Sequence, residues 1–425
     1  MNIKKALFLC LFLALFLDPI YSTGEIPFKL NGTYKSFFIG FMFPKYQTDR
    51  QYIQEPSMGA VNNRLRLKLS SDISPGLSLN FCYDFLPQIQ DPSLFEGDLF
   101  FAEIDPLTYR FDDISRKIYP STDEKTGSFA VLNNLDRFFL SLRLNFADIY
   151  IGRQALSWGS ARVINPTDVI APFAFNELDI EERRGVDALR IRIPLGMMDE
   201  LDAGYVAGKN FDLKKSAFFL RGKFYILKTD FSLLMMNFKQ HLMLGFDATR
   251  AIGGAGGWFE AAYVMPFYQD KDSHPGEKNY VRISMGLDTN LGAKTYGFLE
   301  YHFNSAGKKN PENYIQEFQY SPYQDGTVYL LGKHYLHAGI NYQITPLIPF
   351  AGLVIFNIND RSFTFSPTLE YNVRENIYLS GGAYIGLGKS PEIPRESFVS
   401  NPQMAFRSEF GAYPDIIFTS FKIYF

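Results

Sequence analysis

Charged residues alternate with leucines in the stretch "RLRLKL" at residues 64–69. Side chains of an extended chain point alternately to opposite faces, so this stretch predicts a strand with one apolar and one cationic face. Cations that line a low-dielectric channel focus the potential and attract anions. The chemistry available to these residues is therefore electrostatic selection of a solute, and it requires a wall of strands around a wet interior.

The same parity argument places other charged side chains on the inner face of such a wall. The basic positions are Arg64, Arg66, Lys68, Arg143, Arg190, Arg192, Arg221, Lys223, Arg282 and Lys422. The acidic positions are Asp84, Asp247, Glu260, Asp288, Glu300 and Glu370. Basic positions outnumber acidic ones by ten to six, and eight of the basic ones lie in the first half of the barrel, which favours anions. The alternative is that these charges pair with neighbours and merely fill a wet interior.

One long connection, residues 156–184, combines apolar side chains with several carboxylates. Its candidate constriction residues are Trp158, Asn165, Asp168, Glu181 and Glu182. The sequence "NPTD" at residues 165–168 favours a fixed turn, because Asn, Pro and Asp each stabilise turn geometry. Such a loop either folds inward and narrows a pore or packs over the rim, and the sequence leaves both alternatives open.

Enzymatic chemistry finds little support in the sequence. No "GxSxG" or "HExxH" pattern occurs, and the chain has only five histidines. His334 and His337 are three residues apart and would lie on opposite faces of a strand, so they form a poor metal pair. We expect no enzymatic activity, no cofactor and no metal.

Eighteen segments with a period of two supply the wall. They are residues 33–43, 62–72, 77–87, 137–146, 149–155, 185–193, 201–208, 216–227, 230–238, 241–249, 256–266, 280–288, 294–304, 332–344, 349–357, 362–372, 375–387 and 415–425. Most have about the 9 to 11 residues that a tilted strand needs to cross a bilayer. These segments predict an all-β fold, and their even number predicts a transmembrane antiparallel barrel. We expect about 18 strands, with 16 as an alternative.

The connections alternate in length, which is typical of an outer-membrane barrel with short periplasmic turns and long outer loops. The long extracellular loops are expected at residues 88–136, 156–184, 305–331 and 388–414. A secreted β-sandwich or propeller is the competing fold. A propeller would repeat every ~40 to 50 residues, and the sequence shows no such repeat.

Composition agrees with an exported membrane protein. Two lysines and an apolar run open the chain, and residues 1–22 have the layout of a secretory signal peptide, followed by the barrel at residues 23–425. Cys82 is then the single cysteine of the mature chain, so no intramolecular disulfide can form. Aromatic residues make up 16% of the chain at a net charge of -3, which favours a lipid-facing β surface and excludes a typical nucleic-acid binder.

The last predicted strand ends on an aromatic residue. Phe421, Ile423 and Phe425 fall on one face, with polar residues on the other. This pattern resembles the sorting and assembly signal of bacterial outer-membrane barrels, which the barrel-assembly machinery reads. The alternative is an ordinary final strand.

A further resemblance lies in residues 152–173, "GRQALSWGSARVINPTDVIAPF", and residues 182–196, "ERRGVDALRIRIPLG". They resemble the "GRQ…WG…NP.D" segment of porin-like bacterial outer-membrane β-barrels, a group distantly similar to alginate-export barrels. The resemblance covers about forty-five residues, 152–196, and implies an outer-membrane barrel without specifying a solute.

These observations predict a channel in the outer membrane of a Gram-negative cell. We expect it to pass hydrophilic, anionic solutes such as acidic oligosaccharides or organic acids. The alternative function is a structural barrel, or one for surface-polysaccharide assembly or export, whose lumen is plugged. The expected partners are outer-membrane lipid, lipopolysaccharide, the barrel-assembly machinery and the solute, and no nucleic acid.

Overall fold

The computed structural model describes residues 28–47, 52–54, 57–92, 94, 108–121, 124–392 and 405–425. The predicted signal peptide, residues 1–22, lies outside this part, as do portions of the connections 88–136 and 388–414. The strands of the described part are β1 (Phe28–Met42), β2 (Lys45–Gln47), β3 (Tyr52–Gln54), β4 (Met58–Ser74), β5 (Leu77–Gln90), β6 (Lys117–Tyr119), β7 (Phe129–Arg143), β8 (Asp148–Ala155), β9 (Gly185–Pro194), β10 (Glu200–Val206), β11 (Ala217–Ile226), β12 (Thr229–Phe238), β13 (His241–Ile252), β14 (Ala255–Met265), β15 (Tyr280–Gly292), β16 (Thr295–Asn304), β17 (His334–Thr345), β18 (Ile348–Asn357), β19 (Ser362–Arg374), β20 (Ile377–Leu387) and β21 (Asp415–Tyr424).

Eighteen of these strands form one closed antiparallel barrel. Each pairs with its neighbours along the chain, and β1 pairs with both β4 and β21, which closes the ring. The strands β2 and β3 form a separate hairpin, and β6 pairs with the outer end of β7. The predicted eighteen-stranded barrel is confirmed, and the alternative of sixteen strands is wrong. Closure matters physically because it leaves no unpaired strand edge.

The two faces of the wall differ as the alternation predicts. Large apolar side chains point outward and are exposed, for example Leu233 at 55% and Leu299 at 53%. Polar and charged side chains on the opposite parity are buried inside, with Glu260 and Glu300 at 0%. An apolar outer face around a polar interior inverts the arrangement of a water-soluble barrel and matches a barrel surrounded by lipid.

The largest difference from the predicted boundaries is in β7, which begins at Phe129 and not at residue 137. Its pairing with β5 skips Asp136, since Cys82 pairs with Arg137 and Tyr83 with Leu135. A bulge of one residue reverses the in-and-out alternation on either side of it. The two halves of β7 are therefore out of phase, and the period-two pattern recovers only the second half.

Regular helices are short and confined to the connections. They are the 3-10 turns Lys209–Phe211, Leu213–Lys215, Pro311–Asn313 and Ile315–Gln319, and the single-turn helix α1 (Ser321–Gln324). None of the helices in the described part is both long enough and apolar enough to cross a membrane. The connections instead pack inside the wall, where Trp158, Met236 and Phe238 belong to a buried apolar cluster.

The seam between the first and last strands extends to the terminal residue. The backbone N–H of Phe425 donates to the carbonyl of Gly32, and the N–H of Gly32 donates back at 2.7 Å. A side chain at position 32 would collide with the Phe425 ring, whose Cζ would lie 2.3 Å from an added Cβ. Phe421, Ile423 and Phe425 share the outward parity, and the Phe425 side chain is 58% exposed.

Candidate functional site

Residues 156–184, between β8 and β9, fold inside the barrel and reach two opposite parts of the wall. Residues 160–167 contact β14 and β16, while residues 179–182 contact β1, β4 and β21. Since β14 stands about halfway round the ring of eighteen strands from β1, this segment crosses the lumen. We call residues 156–184 the crossing loop.

Glu260 on β14 holds the first part of the crossing loop. Its carboxylate accepts hydrogen bonds from the backbone N–H groups of Ser160 at 3.0 Å, Ala161 at 3.1 Å and Thr167 at 2.8 Å, and from the Thr167 hydroxyl at 2.7 Å. A fully buried carboxylate is stable only where donors replace its water. Here the loop backbone supplies those donors.

Glu300 on β16 does the same for the intervening residues. It accepts from the backbone N–H of Arg162 at 2.7 Å and from those of Val163 and Ile164, both at 3.3 Å. The indole N–H of Trp258 donates to the same carboxylate at 3.0 Å. We call Glu260 and Glu300, with residues 160–167, the carboxylate anchor.

Two glycines make this close approach possible. Gly159 has φ +101°, and an added Cβ would lie 2.5 Å from the Asn165 side-chain oxygen and 2.7 Å from the Glu260 carboxylate. Gly245 on β13 leaves room for the Thr167 methyl, which would lie 2.8 Å from an added Cβ. A side chain at either position would push the loop away from the wall.

The second part of the crossing loop is held by ion pairs at the barrel seam. Lys35 on β1, only 1% exposed, lies 2.9 Å from Asp179 and 2.5 Å from Glu181. Glu181 also binds Lys422 at 2.9 Å and the Tyr424 hydroxyl at 2.8 Å, both on β21. Glu181 therefore connects the first and last strands of the barrel.

Neighbouring pairs extend this contact onto β4. Arg64 binds Asp179 at 2.5 Å, and Lys68 contacts Glu182. Burial alone would raise the pKa of Glu181, but hydrogen bonds from Lys35 and Lys422 lower it to about 2. We call Asp179, Glu181 and Glu182, with the basic residues that they contact, the ionic anchor.

Between the two anchors lies Asp168, which is 1% exposed. Its carboxylate is 2.5 Å from Arg183, whose guanidinium in turn lies 4.1 Å from the centre of the Phe173 ring. Burial raises the pKa of Asp168 to about 6 despite the opposing charge of Arg183. This pair folds the middle of the crossing loop back on itself.

The other two predicted constriction residues have structural contacts. Trp158 is 6% exposed and packs against Phe219 with ring centres 4.8 Å apart. The Asn165 backbone carbonyl accepts from Arg282 at 3.4 Å. All five predicted loop residues thus belong to one folded segment, and Trp158 packs in the apolar cluster.

Most of the predicted lumen cations lie beside carboxylates. Within 4.0 Å of an acidic oxygen are Arg64, Arg66, Lys68, Arg143, Arg190, Arg192, Lys223 and Lys422. Arg221 and Arg282 have no such partner among the described residues, and Arg221 donates instead to the Ser232 hydroxyl. The inner wall therefore carries far less uncompensated positive charge than its count of basic residues indicates.

Arg282 borders an internal cavity of about 210 Å³. The side chain is 2% exposed, and its Nη1 has no hydrogen-bond partner in the described part of the chain. Residues 172–177 separate this inner cavity from an outer one of about 300 Å³, and Tyr329 lines both. Residues of this segment, with Tyr329, therefore form the partition between the two cavities.

Sequence reasoning missed three of these contacts. Lys35 was not among the predicted lumen cations because its face of β1 also carries Phe37 and Ile39, which hides the parity. Glu260 and Glu300 were predicted to face inward, but not to bind the loop backbone. Acidic residues in the middle of apolar strands, as in "WFEAAY" and "FLEYHF", are the signal that points to a buried acceptor.

The fold is similar to that of several outer-membrane proteins of known structure. OccK9 (OpdG) of Pseudomonas aeruginosa superposes with a TM-score of 0.56 at 8% sequence identity, covering 94% of this chain and 98% of that one. OpdK of the same organism, crystallised with vanillate, superposes with a TM-score of 0.53 at 9% identity, covering 93% and 98%. Acinetobacter baumannii OccAB1 gives 0.50 at 9%, covering 93% and 96%.

No protein-family model matches the chain, and no curated protein matches it. Identities of 8 to 9% show a shared fold and leave the solute undetermined. The predicted barrel of the outer-membrane type is confirmed, and the likeness to outer-membrane proteins agrees with the predicted location in the outer membrane. The likeness to alginate-export barrels gains no support from these structures and stays a resemblance of residues 152–196.

Proposed function

We propose that the barrel is an outer-membrane channel for hydrophilic solutes and that it prefers small anions such as organic acids or acidic oligosaccharides. The observation that carries this proposal is Arg282. Its guanidinium has no carboxylate within 4.0 Å in the described part of the chain, and it borders the inner cavity beside residues 172–177 of the crossing loop. An uncompensated cation at a constriction attracts anions strongly, because the low-dielectric wall focuses its field.

The other charges around this cavity compensate one another. Arg162 binds Asp288 at 2.6 Å, and Arg183 binds Asp168 at 2.5 Å. Glu177, which lines both the inner and the outer cavity, is paired with Arg184 at 3.3 Å. Arg282 is therefore the one cation of this lining, within the described part of the chain, that has no carboxylate within 4.0 Å, and Glu260 and Asp168 are its more distant acidic neighbours. Vanillate, found with OpdK, is itself a carboxylate and is compatible with a porin-like barrel that takes small organic acids.

The zero-current potential in a planar bilayer under a salt gradient tests the proposal. We expect the wild-type protein to be anion-selective and Arg282→Gln to shift the potential toward neutrality. The double substitution Arg192→Gln and Glu200→Gln is the matched control, because it removes both members of an ion pair, leaves the net charge unchanged and should move the potential little. Cation selectivity of the wild-type protein would reject the proposal, and an unchanged potential in Arg282→Gln would show that Arg282 is off the path.

The crossing loop also supports a second candidate function, a structural or surface-polysaccharide assembly barrel with a plugged lumen. Its specific support is that both halves of the loop are anchored to opposite walls. Single-channel conductance separates the two candidates. Discrete conductance levels of the wild-type protein support the channel. A wild-type protein that carries no current until the crossing loop is released supports the plugged barrel.

A further inference from the structure

The outer wall has a groove that runs across six neighbouring strands, from β12 to β17. Its volume is about 520 Å³. The floor contains Ala248 and Gly257, whose small size leaves the hollow. Its sides are the outward residues Ile252, Phe259, Met285, Leu287, Leu299, Tyr301 and Leu336. The outward parity of these side chains places the groove on the lipid-facing surface.

One charged residue, Arg250, borders this apolar groove. It is exposed, and no carboxylate in the described part of the chain lies within 4.0 Å of it. It lies three residues before the turn at Gly253, which joins β13 to β14 on the short-turn rim. An unpaired guanidinium near the edge of an apolar surface is positioned to meet a headgroup phosphate.

The dimensions of the groove suit an acyl chain. Six strands correspond to five inter-strand spacings, or about 24 Å at ~4.8 Å each. One leaflet of a ~30 Å hydrocarbon core is about 15 Å deep, so a chain entering beside Arg250 stays within the length of the groove. Water is excluded from this surface, and lipid is the medium that must fill the hollow.

We propose that this groove binds one anionic phospholipid from the leaflet at the short-turn rim. An acyl chain occupies the hollow over Gly257 and Ala248, and the phosphate pairs with Arg250. The site differs from the crossing loop in location and chemistry, because it lies on the outer face of the wall. The proposed lipid site does not depend on the proposed channel function.

Native mass spectrometry of the detergent-solubilised barrel tests the site. Phosphatidylglycerol and diacylglycerol, which lacks the phosphate, are titrated in parallel. We expect tight binding of one phosphatidylglycerol and weaker binding of diacylglycerol. Arg250→Gln should reduce phosphatidylglycerol affinity roughly fivefold and leave diacylglycerol unchanged. Ala248→Phe, which fills the hollow, should weaken both lipids.

Arg374→Gln is the matched control, since Arg374 is an exposed arginine on the same rim outside the groove. Heat-dependent mobility on a detergent gel shows that each variant is folded, and Arg250→Gln alone suffices if Ala248→Phe fails to assemble. The proposal is overturned if Arg374→Gln weakens phosphatidylglycerol as much as Arg250→Gln does. It is equally overturned if Arg250→Gln has no effect, or if a folded Ala248→Phe binds both lipids normally.

Discussion

The crossing loop is attached to the wall in two physically different ways. In the carboxylate anchor, Glu260 and Glu300 are completely buried and accept hydrogen bonds from backbone N–H groups of the loop. In the ionic anchor, side-chain carboxylates of the loop pair with lysines and arginines of the wall, and the side chains of Glu181 and Glu182 are 37% and 26% exposed. The first contact is desolvated and neutral on the loop side, whereas the second is partly hydrated and charged on both sides.

This difference predicts which half of the loop can be released. A buried carboxylate cannot exchange its donors for water without moving the loop, so the carboxylate anchor should resist salt. In the ionic anchor Lys35 is buried, but its carboxylate partners are partly exposed, and partly exposed ion pairs contribute only about 1 kcal/mol each and weaken as salt rises. We therefore interpret residues 160–167 as the fixed half of the constriction and residues 179–182 as its adjustable half.

The largest effect is expected from the double substitution Glu260→Gln and Glu300→Gln. Each glutamine keeps one acceptor oxygen, but its NH2 group faces backbone N–H donors and cannot accept from them. The loss of these buried hydrogen bonds should reduce the free energy that holds the loop to the wall by about 3 kcal/mol per glutamate. We expect higher single-channel conductance and new trypsin cleavage after Arg162. Normal conductance and resistance at Arg162 would contradict the fixed-half interpretation.

Glu370→Gln is the control for that experiment. Glu370 is an inward carboxylate on β19 whose only ion pair in the described part is a 3.9 Å contact with Lys422. We expect it to leave conductance and cleavage unchanged. Each variant is first checked for heat-dependent mobility, and the single substitution Glu260→Gln replaces the double one if that barrel does not assemble.

A smaller effect is expected from Glu181, and it depends on pH. Its pKa falls from an ordinary 4.5 to about 2 because Lys35 and Lys422 stabilise the carboxylate. A depressed pKa means that its stabilising contribution is complete above pH 4.5 and is lost as the pH falls toward 2. With the side chain more than a third exposed, the contribution is about 1 kcal/mol. Channel closures should thus become more frequent between pH 4.5 and 2.

Glu181→Gln should show the low-pH gating pattern already at neutral pH and should flatten the pH profile between 4.5 and 2. Cleavage by trypsin after Arg184 should rise in parallel, while Arg162 stays protected by the carboxylate anchor. Loss of protection at both arginines together would show that the two halves of the loop move as one unit. It would contradict a fixed half at residues 160–167 and an adjustable half at residues 179–182.

The fold was accessible from the sequence because most barrel strands keep a period of two and each side of the wall faces a different medium. Parity also predicted that Glu260, Glu300 and the cations of β4 face inward. Parity could not predict the partners of these residues. Glu260, for example, binds Ser160, which is one hundred residues away in the sequence, and the course of the crossing loop decides that contact. Parity failed locally in β7, where the bulge at Asp136 reverses it.

Charge counting was the other source of error in the site. The ten basic positions suggested a strongly cationic lumen, but a count does not reveal which residues pair. Arg190 on β9 and Asp202 on β10, for example, are diagonal neighbours 2.7 Å apart and cancel. Only the three-dimensional arrangement identifies Arg221 and Arg282 as the predicted lumen cations without a carboxylate within 4.0 Å in the described part of the chain, and only Arg282 of the two borders the inner cavity.

The smallest effect is expected from Lys68, at the edge of the ionic anchor. Its side chain is 40% exposed, and Glu182, its partner, also lies 3.4 Å from Arg66. Removing Lys68 therefore leaves Glu182 with a second cation, and Lys68→Gln should cost about 0.5 kcal/mol or less. Gating recorded at 0.1 M and 1 M salt provides the measurement, because screening at 1 M already removes most of such a pair. We expect a slight increase in closures at 0.1 M and none at 1 M. An effect that persists at 1 M would place Lys68 in a desolvated contact and would erase the distinction between a fixed and an adjustable anchor.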